Sequence, residues 1–334
     1  MRRVVVFVGG SHYIAAALQR TVPACLDGLS RAGVVVPTTG RRTSAANGLS
    51  HQRLAAMGEP GWAALRSELA ESEANTVLLI VPALLRTGRA AARQRAVVAQ
   101  LSALADEVSV VSVVADQLTL INDYYLHHVA TWRTSGRLDT LAARLIHNEG
   151  FVHERLLRPW YQDAAVRYTA VPLPEYLAVH PVRAVLGAAG VELPADVAAS
   201  PVAPAWTLGA VGVEANRLLS TYLRAEIPGF QPDASALVAA SHSGLARADK
   251  AGWCADEFWG WTRRSAKKAR ARFDASNDRF ARAVWGTDWP LPYPLDRPCT
   301  QLDFLDLDAE VIDQVQRYVV SMVARVARNL QAAS

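Results

Sequence analysis

The chain has few of the residues that mark a protein's chemistry directly. It contains three cysteines, Cys25, Cys254 and Cys299, which are odd in number and far apart. This pattern does not indicate a disulfide framework or a zinc cluster, and it favours a reducing cytoplasm. A Gly-x-Ser-x-Gly elbow, a Cys-His dyad signature and a metal-ligand motif are all missing from the sequence. Hydrolases of those kinds and metalloenzymes with recognisable motifs are therefore not expected.

Long hydrophobic runs and a strong charge imbalance are also missing. No run approaches the roughly 18–20 apolar residues that span a bilayer, so no membrane span is expected. Arg2 and Arg3 followed by apolar residues resemble a signal peptide, but the stretch is too short, which favours a first core strand. The 35 basic residues exceed the 31 acidic ones by four, which is weak support for an anionic partner. Nucleic acid is not the expected partner.

The 334 residues are 51% hydrophobic, which is enough for a substantial core. Four short, almost wholly apolar runs predict buried strands, and a shorter extended segment covers residues 34–36. The four runs are residues 4–8, 76–81, 108–114 and 165–171. Strands buried on both faces that alternate with helices are typical of a parallel sheet with helices on each side. We therefore predict a three-layer α/β domain.

The composition of the sequence changes after residue 187: prolines become frequent and long strands are no longer predicted. We expect residues 1–187 to form the α/β core and residues 188–334 to form a helical part packed on it, as one structural unit. Residues 175–187 are predicted as one short helix and residues 38–50 as an exposed loop. The sequence of residues 274–277 predicts a turn between a basic run and a short helix that ends near Trp285.

The most informative segment is residues 4–19, which have the form of a phosphate-binding strand, loop and helix. Such a loop offers glycine-backed N–H groups, a Lys or Arg, and a Ser or Thr at the start of the helix. Here Gly9, Gly10 and Ser11 are followed by His12, and the helix then begins with apolar residues. The scaffold for phosphate binding is present and most of the binding groups are not.

Four segments in order carry a resemblance that spans almost the whole chain. They are Phe7–Gln19 with Gly33–Pro37 after it, the strand Val77–Ile80, the segment Val113–Gln117, and Phe273–Arg282 with its Ser-Asn pair. In this order they resemble the bacterial sulfotransferase-like proteins with a P-loop-containing fold. The resemblance implies a P-loop-type fold and a donor site for 3′-phosphoadenosine 5′-phosphosulfate.

The same resemblance implies that this donor site has degenerated. His12 stands where the family has the loop lysine, Ile14 replaces the loop glycine, and Ala15-Ala16 replace the hydroxyl pair. A β-branched residue fits poorly where φ must be positive. The positions that would bind the 3′-phosphate fall at about Ala115 and near Asp123, and a carboxylate there repels a phosphate. We therefore expect no bound cofactor and no retained use of this donor.

The candidate site residues follow from the loop, from the clustered side chains and from the basic runs. Predicted catalytic residues are His12, Asp116 and Asp123, since an imidazole and a carboxylate together suit acid–base work. Predicted cofactor-binding residues are Gly9, Gly10, Ser11 and His12. Predicted substrate or anion ligands are Arg41, Arg42, Tyr124, His128, Arg264 and Lys268. Each set also has an ordinary structural explanation, such as a solvated helix face for the basic run 263–272.

Two functional hypotheses remain open from the sequence. In the first, the protein is a sulfotransferase-like pseudoenzyme that serves as a binding module or partner subunit. In the second, it is a group transferase that uses a different donor in the same cleft, such as a nucleotide sugar, or a divergent sulfotransferase. The expected partner is a small-molecule or carbohydrate-like acceptor, or another protein.

Overall fold

A computed structural model describes residues 1–10, 12–44, 48–56, 58–87, 91–197, 208–227, 229–231 and 235–331. At residues 12–13, 43–44, 86–87, 91 and 235–236 it describes the backbone alone. The described residues form two compact units, each assembled from separate stretches of chain. The first contains residues 1–117, 151–205 and 273–292, and the second contains residues 118–150, 206–272 and 293–334. Residues from the predicted core and from the predicted helical part therefore occur in both units.

The first unit is built on a five-stranded sheet of β1 (Arg3–Phe7), β2 (Val34–Val35), β5 (Thr76–Ile80), β6 (Glu107–Val114) and β7 (Arg167–Pro172). Their order across the sheet is β2-β5-β1-β6-β7. All neighbouring pairs are parallel, as predicted. In the register of the central strand, Val4 lies between Val77 of β5 and Val108 of β6.

Helices cover both faces of this sheet, which confirms the predicted α/β class. The helices of the unit are α1 (His12–Arg31), α2 (Glu59–Ala70), α3 (Leu84–Thr87), α4 (Ala91–Ser102), α7 (His153–Tyr161), α8 (Leu173–Ala178) and α9 (Pro181–Ala188). Val4 and Val6 pack into a core with residues of α2, α4 and α7, such as Trp62 and Trp160. Successive side chains of a strand point to opposite faces of the sheet, so Val5 and Phe7 face the helices on the other side. Both are fully buried.

The second unit is helical in its described residues. It contains α6 (Leu138–His147), α10 (Ala210–Glu226), α11 (Ser235–Lys250) and α13 (Ala309–Gln331), and α10 and α11 both pack on α13. Two further helices contribute to both units, α5 (Gln117–Ala130) and α12 (Arg263–Val284). Among the described residues, no helix combines the length and the apolar character needed to cross a membrane.

Three local predictions were wrong. Residues 274–277 are not a turn, because α12 runs unbroken from Arg263 to Val284. The single helix predicted over 175–187 is two helices, α8 and α9, because the residue before a proline disfavours helical backbone and Pro181 starts α9. The predicted loop 38–50 contains a small antiparallel hairpin, β3 (Arg42–Ser44) and β4 (Gly48–Ser50).

The hairpin is placed by a close approach of backbone to backbone. Gly48 has a φ of +70°, and a Cβ atom there would lie 2.2 Å from the carbonyl oxygen of Gln19 on α1. Only glycine permits both the conformation and the contact. The hairpin therefore lies directly against α1.

Candidate functional site

The carboxyl ends of the neighbouring strands β1 and β6 lie side by side, and the chain leaves these two strands toward opposite edges of the sheet. From β1 the chain runs to β2 on one side, and from β6 it runs to β7 on the other side. In open α/β sheets, ligands bind in the crevice outside the strands at such a switch point. The two strand ends stay bonded beyond the regular ladder, because Val113 N–H donates to Gly9 O at 3.1 Å. This edge of the first unit is the candidate site that the fold favours.

The loop after β1 lies beside apolar side chains. Gly9 has a φ of +126°, and a Cβ atom on it would lie 3.3 Å from Leu85. A Cβ atom on Gly10 would lie 3.0 Å from Ile14 Cγ2, and Ile14 is 1% exposed. Tyr176 holds this turn of α1 by donating its hydroxyl hydrogen to Ile14 O at 3.1 Å. A side chain on either of the two glycines predicted to bind a cofactor would therefore meet Leu85 or Ile14, and Gly10 itself is half-buried.

The two remaining residues predicted for this loop are Ser11 and His12. Ser11 lies outside the described residues. His12 is the first residue of α1, so its backbone is at the amino end of the helix beside Gly10, and its side chain lies outside the described part.

The loop after β6 is held by two buried side chains from distant parts of the sequence. Gln117 and Asn277 form a reciprocal amide pair, with distances of 2.6 and 2.8 Å, and both are fully buried. His153 Nε2 donates to Ala115 O at 2.8 Å. Burial lowers the pKa of His153 to about 4, although the hydrogen bond to Ala115 opposes this shift. His153 is therefore a neutral donor that fixes the backbone at the switch point.

Asp116 lies between these two anchors and is 7% exposed. It immediately precedes α5, which begins at Gln117, and so it stands at the sequence position of an N-cap. Aspartate is one of the preferred residues there, because its carboxylate can satisfy free N–H groups and interacts favourably with the positive end of the helix dipole. The chain itself therefore places a carboxyl group next to the amino end of α5.

The predicted anion ligands Arg41 and Arg42 belong to the segment around the hairpin. Arg41 donates to the carbonyl oxygens of Val36 and Pro37, and burial lowers its pKa. Arg42 is exposed on β3. Arg41 thus holds the turn after β2 together.

A buried histidine completes the attachment of this turn to the sheet. The Ile80 N–H donates to His51 Nδ1 at 3.1 Å, so His51 Nε2 carries the proton and donates to Pro37 O at 2.9 Å. His51 is fully buried, and this burial lowers its pKa to about 4. Burial raises the pKa of Glu68, but hydrogen bonds from Thr38 and Thr39 outweigh that effect and hold it at about 2.

A second cluster of predicted residues lies on α5 in the second unit. The rings of Tyr124 and His128 are 4.1 Å apart at 37°, and His127 meets His128 edge-on at 6.0 Å. Asp123 is half-buried on the same helix. Arg133 Nη1 lies 3.4 Å from His127 Nε2, and since an arginine can only donate, His127 accepts at this atom. The cluster thus pairs two imidazoles with a phenol and a guanidinium.

Trp132, the residue before Arg133, is held in an unfavourable backbone conformation. Trp132 is fully buried and has a φ of +56°, which is rare for a bulky residue. Three polar groups of α10 secure it: Asn216 accepts from Trp132 Nε1 at 3.0 Å, and Ser220 and Arg224 donate to Trp132 O. Enforced strain of this kind is concentrated at functional sites.

Arg264 and Lys268, the last predicted anion ligands, are exposed on α12 in the second unit. Asp116 belongs to the first unit, whereas Asp123, Tyr124 and His128 belong to the second. Within the described ranges, no group of three or more His, Cys, Asp or Glu side chains is arranged to hold a metal ion.

Sequence reasoning missed Gln117, Asn277, His153 and Arg133 as contributors to these two clusters. Gln117 and Asn277 are 160 positions apart, so no local pattern connects them. Arg133 lies just beyond the end of α5, and nothing in the sequence indicates the unusual conformation of Trp132. Comparison with known proteins adds no assignment, because no family model, curated protein or solved structure matches the chain.

Proposed function

We propose that the protein is a sulfotransferase-like protein of the P-loop-containing class that has lost its phosphosulfate-donor site and acts as a non-catalytic binding module or partner subunit. One observation carries the proposal: the apolar side chains of Ile14 and Leu85 lie directly beside the two glycines of the loop after β1. Phosphate binding at this place requires backbone N–H groups that face an open pocket. Apolar side chains beside the loop offer a phosphate no hydrogen bonds.

The topology of the sheet supports the choice of the P-loop-containing class. A strand, a Gly-Gly loop and a helix occupy the centre of a parallel sheet, with the loop at the switch point between β1 and β6. This is the position at which a P-loop-type protein binds its nucleotide, and it is the position that the resemblance assigns to the donor.

The charge at the switch point supports the loss of the donor. Asp116 occupies the amino end of α5, directly after Ala115, the position to which the resemblance assigns a 3′-phosphate ligand. A carboxylate in this place competes with a phosphate for the same helix dipole and repels it. The loop and the helix end thus disfavour the donor independently of each other.

The test is a thermal-unfolding panel with 3′-phosphoadenosine 5′-phosphosulfate, its desulfated product and several nucleotide sugars. A ligand at about 100 times its Kd stabilises the native state by about 2.7 kcal/mol. We expect no such stabilisation with the phosphosulfate donor or its product. A clear rise in Tm with either one, removed by His12→Ala, would overturn the proposal.

The cluster on α5 favours one alternative, a group transferase with a different donor. His127 accepts from Arg133, which an enforced backbone conformation puts in place, and His128 stacks on Tyr124. Such a set could bind and protonate a leaving group. In the same panel, stabilisation by a nucleotide sugar that His128→Ala abolishes would favour this alternative.

A further inference from the structure

Helix α12 presents a strongly basic face in the second unit. At about 100° per residue, Arg264, Lys267 and Lys268 lie within about 100° of one another on the helix surface, and Arg272 borders them. All four are exposed, whereas Ala266 and Ala269 on the opposite side are 1% and 2% exposed. We call these four cations the basic face.

The four cations of the basic face have no ion-pair partner among the residues that the structure describes. Neighbouring cations do form ion pairs, since Arg263 contacts Asp296 at 3.3 Å and Arg297 contacts Glu257 at 2.8 Å. The four cations of the basic face form none with any carboxylate of the described residues. No acidic residue occurs between Glu257 and Asp274 to moderate their charge.

The same unit carries a segment of the opposite sign. We call residues 303–310 the acidic segment: it contains Asp303, Asp306, Asp308 and Glu310, all exposed, and no cation. Only Asp303 has an ion pair within the described residues, with Arg137 at 3.4 Å. In the middle of the segment Leu305 is 83% exposed, the largest exposure of any leucine in the described part.

We propose that the basic face binds the acidic segment of a second copy of this chain. The charges of the two surfaces are complementary, and complementary patches favour docking in one register. Ala271 lies at the centre of the basic face, where its small side chain leaves room for Leu305. A polyanion such as nucleic acid would use the cations but would leave Leu305 in water, so a second copy accounts for more of the two surfaces.

Because each chain carries both surfaces, two copies could exchange both contacts around a two-fold axis or associate head to tail. Exposed ion pairs are individually weak and are screened by salt. The self-association is therefore weak and salt-sensitive. It does not depend on the proposed function, because it involves neither the β1 loop nor the α5 cluster.

Sedimentation equilibrium at increasing protein concentration tests this association. The wild type should self-associate at about 0.1 M salt and become monomeric at about 1 M, where the Debye length falls from about 10 Å to about 3 Å. Lys267→Glu with Lys268→Glu should be monomeric at both, as should Asp306→Lys with Glu310→Lys. Mixing the two charge-reversed variants should restore association. Arg144→Glu with Lys250→Glu, two exposed cations of the same unit outside the basic face, should associate as the wild type does.

A wild type that stays monomeric at about 0.1 M salt would overturn the proposal. So would a mixture of the two reversed variants that remains monomeric while each variant keeps the circular dichroism spectrum of the wild type. A short DNA duplex that binds the monomeric wild type but not Lys267→Glu with Lys268→Glu would assign the basic face to nucleic acid and also exclude the second copy.

Discussion

Mild acid should destabilise the first unit through two buried histidines, His51 and His153. Both are neutral in the native state with a pKa of about 4, because burial penalises the charged ring. In each case the Nε2 hydrogen is bonded to a backbone carbonyl, of Pro37 and of Ala115. Protonation of His51 would also put a hydrogen on Nδ1, which accepts from Ile80 N–H in the native state.

The size of the effect follows from the difference between the native and unfolded pKa values. An unfolded histidine titrates near 6.5, so the gap to about 4 is worth about 3 kcal/mol for each ring at 1.36 kcal/mol per pKa unit. Because the native pKa is lowered, this stability is fully present above pH 6.5 and is lost as the pH falls towards 4. The two losses together amount to about 6–7 kcal/mol, a large part of the 5–15 kcal/mol that stabilises a typical protein.

Carboxylates act at lower pH and can be separated from this effect. Glu68 has a native pKa of about 2, so its contribution is present above its ordinary value of 4.5 and is lost only below that pH. Between about pH 6.5 and pH 4.5 the slope of unfolding free energy against pH therefore reports histidines. The half-buried His180 and His242, whose pKa burial also lowers, add to the slope from His51 and His153, so single variants are needed to separate them.

Two measurements test this account. Histidine ring signals in the NMR spectrum should show that His51 and His153 remain neutral down to about pH 5. Urea denaturation across the same range should give a mean slope for His153→Gln that is smaller by about 1 kcal/mol per pH unit than that of the wild type. A His153 signal that titrates with a midpoint near 6.5, or an unchanged slope in the variant, would refute the reasoning.

Two further predictions concern packing. Asn277→Ala removes two hydrogen bonds from the fully buried amide of Gln117 and should lower the free energy of unfolding by about 1–3 kcal/mol, measured in urea. The double variant with Gln117→Leu should lose less than the sum of the single losses. Gly48→Ala should lower the free energy of unfolding by about 3 kcal/mol, because its Cβ would lie 2.2 Å from Gln19 O. The control is Gly33→Ala, where φ is also positive but no atom lies near the added Cβ. It should lower the free energy of unfolding by only about 1 kcal/mol. Equal losses for the two glycines would contradict the close approach to α1.

The sheet was predictable because its strands are apolar on both faces. Residues 76–80 of β5 are all buried, and such a run has few alternatives to a central parallel strand. Both layers of helices followed from the same pattern. Local composition therefore predicts the α/β class without any knowledge of which residues meet.

The continuity of α12 could not be predicted in the same way. Asp274, Ser276 and Asn277 are typical of turns because their side chains compete for the backbone. In the structure Asn277 instead bonds the buried Gln117, and Ser276 bonds the carbonyl of Phe273 within the helix. The tertiary partner decides the conformation, and it lies 160 positions away.

Only the location of the candidate site and its weak phosphate binding could be predicted from the sequence. The spacing of strand, Gly-Gly loop and helix predicts where the loop lies, and the replaced residues predict a weak phosphate site. That Ile14 and Leu85 lie beside the glycines depends on side-chain packing between α1 and the segment after β5, which no local pattern shows. The roles of Asp116, Asp123, His12 and the predicted arginines stay predictions.

Isothermal titration of the desulfated donor product tests the central claim, the loss of the donor site, most directly. The wild type should give no saturable binding. The variant that restores the resembled loop, His12→Lys with Ile14→Gly and Ala15→Thr, should gain measurable affinity, because it removes the apolar side chain beside Gly10 and returns a cation and a hydroxyl to the loop. Saturable binding by the wild type that His12→Ala abolishes would contradict the account.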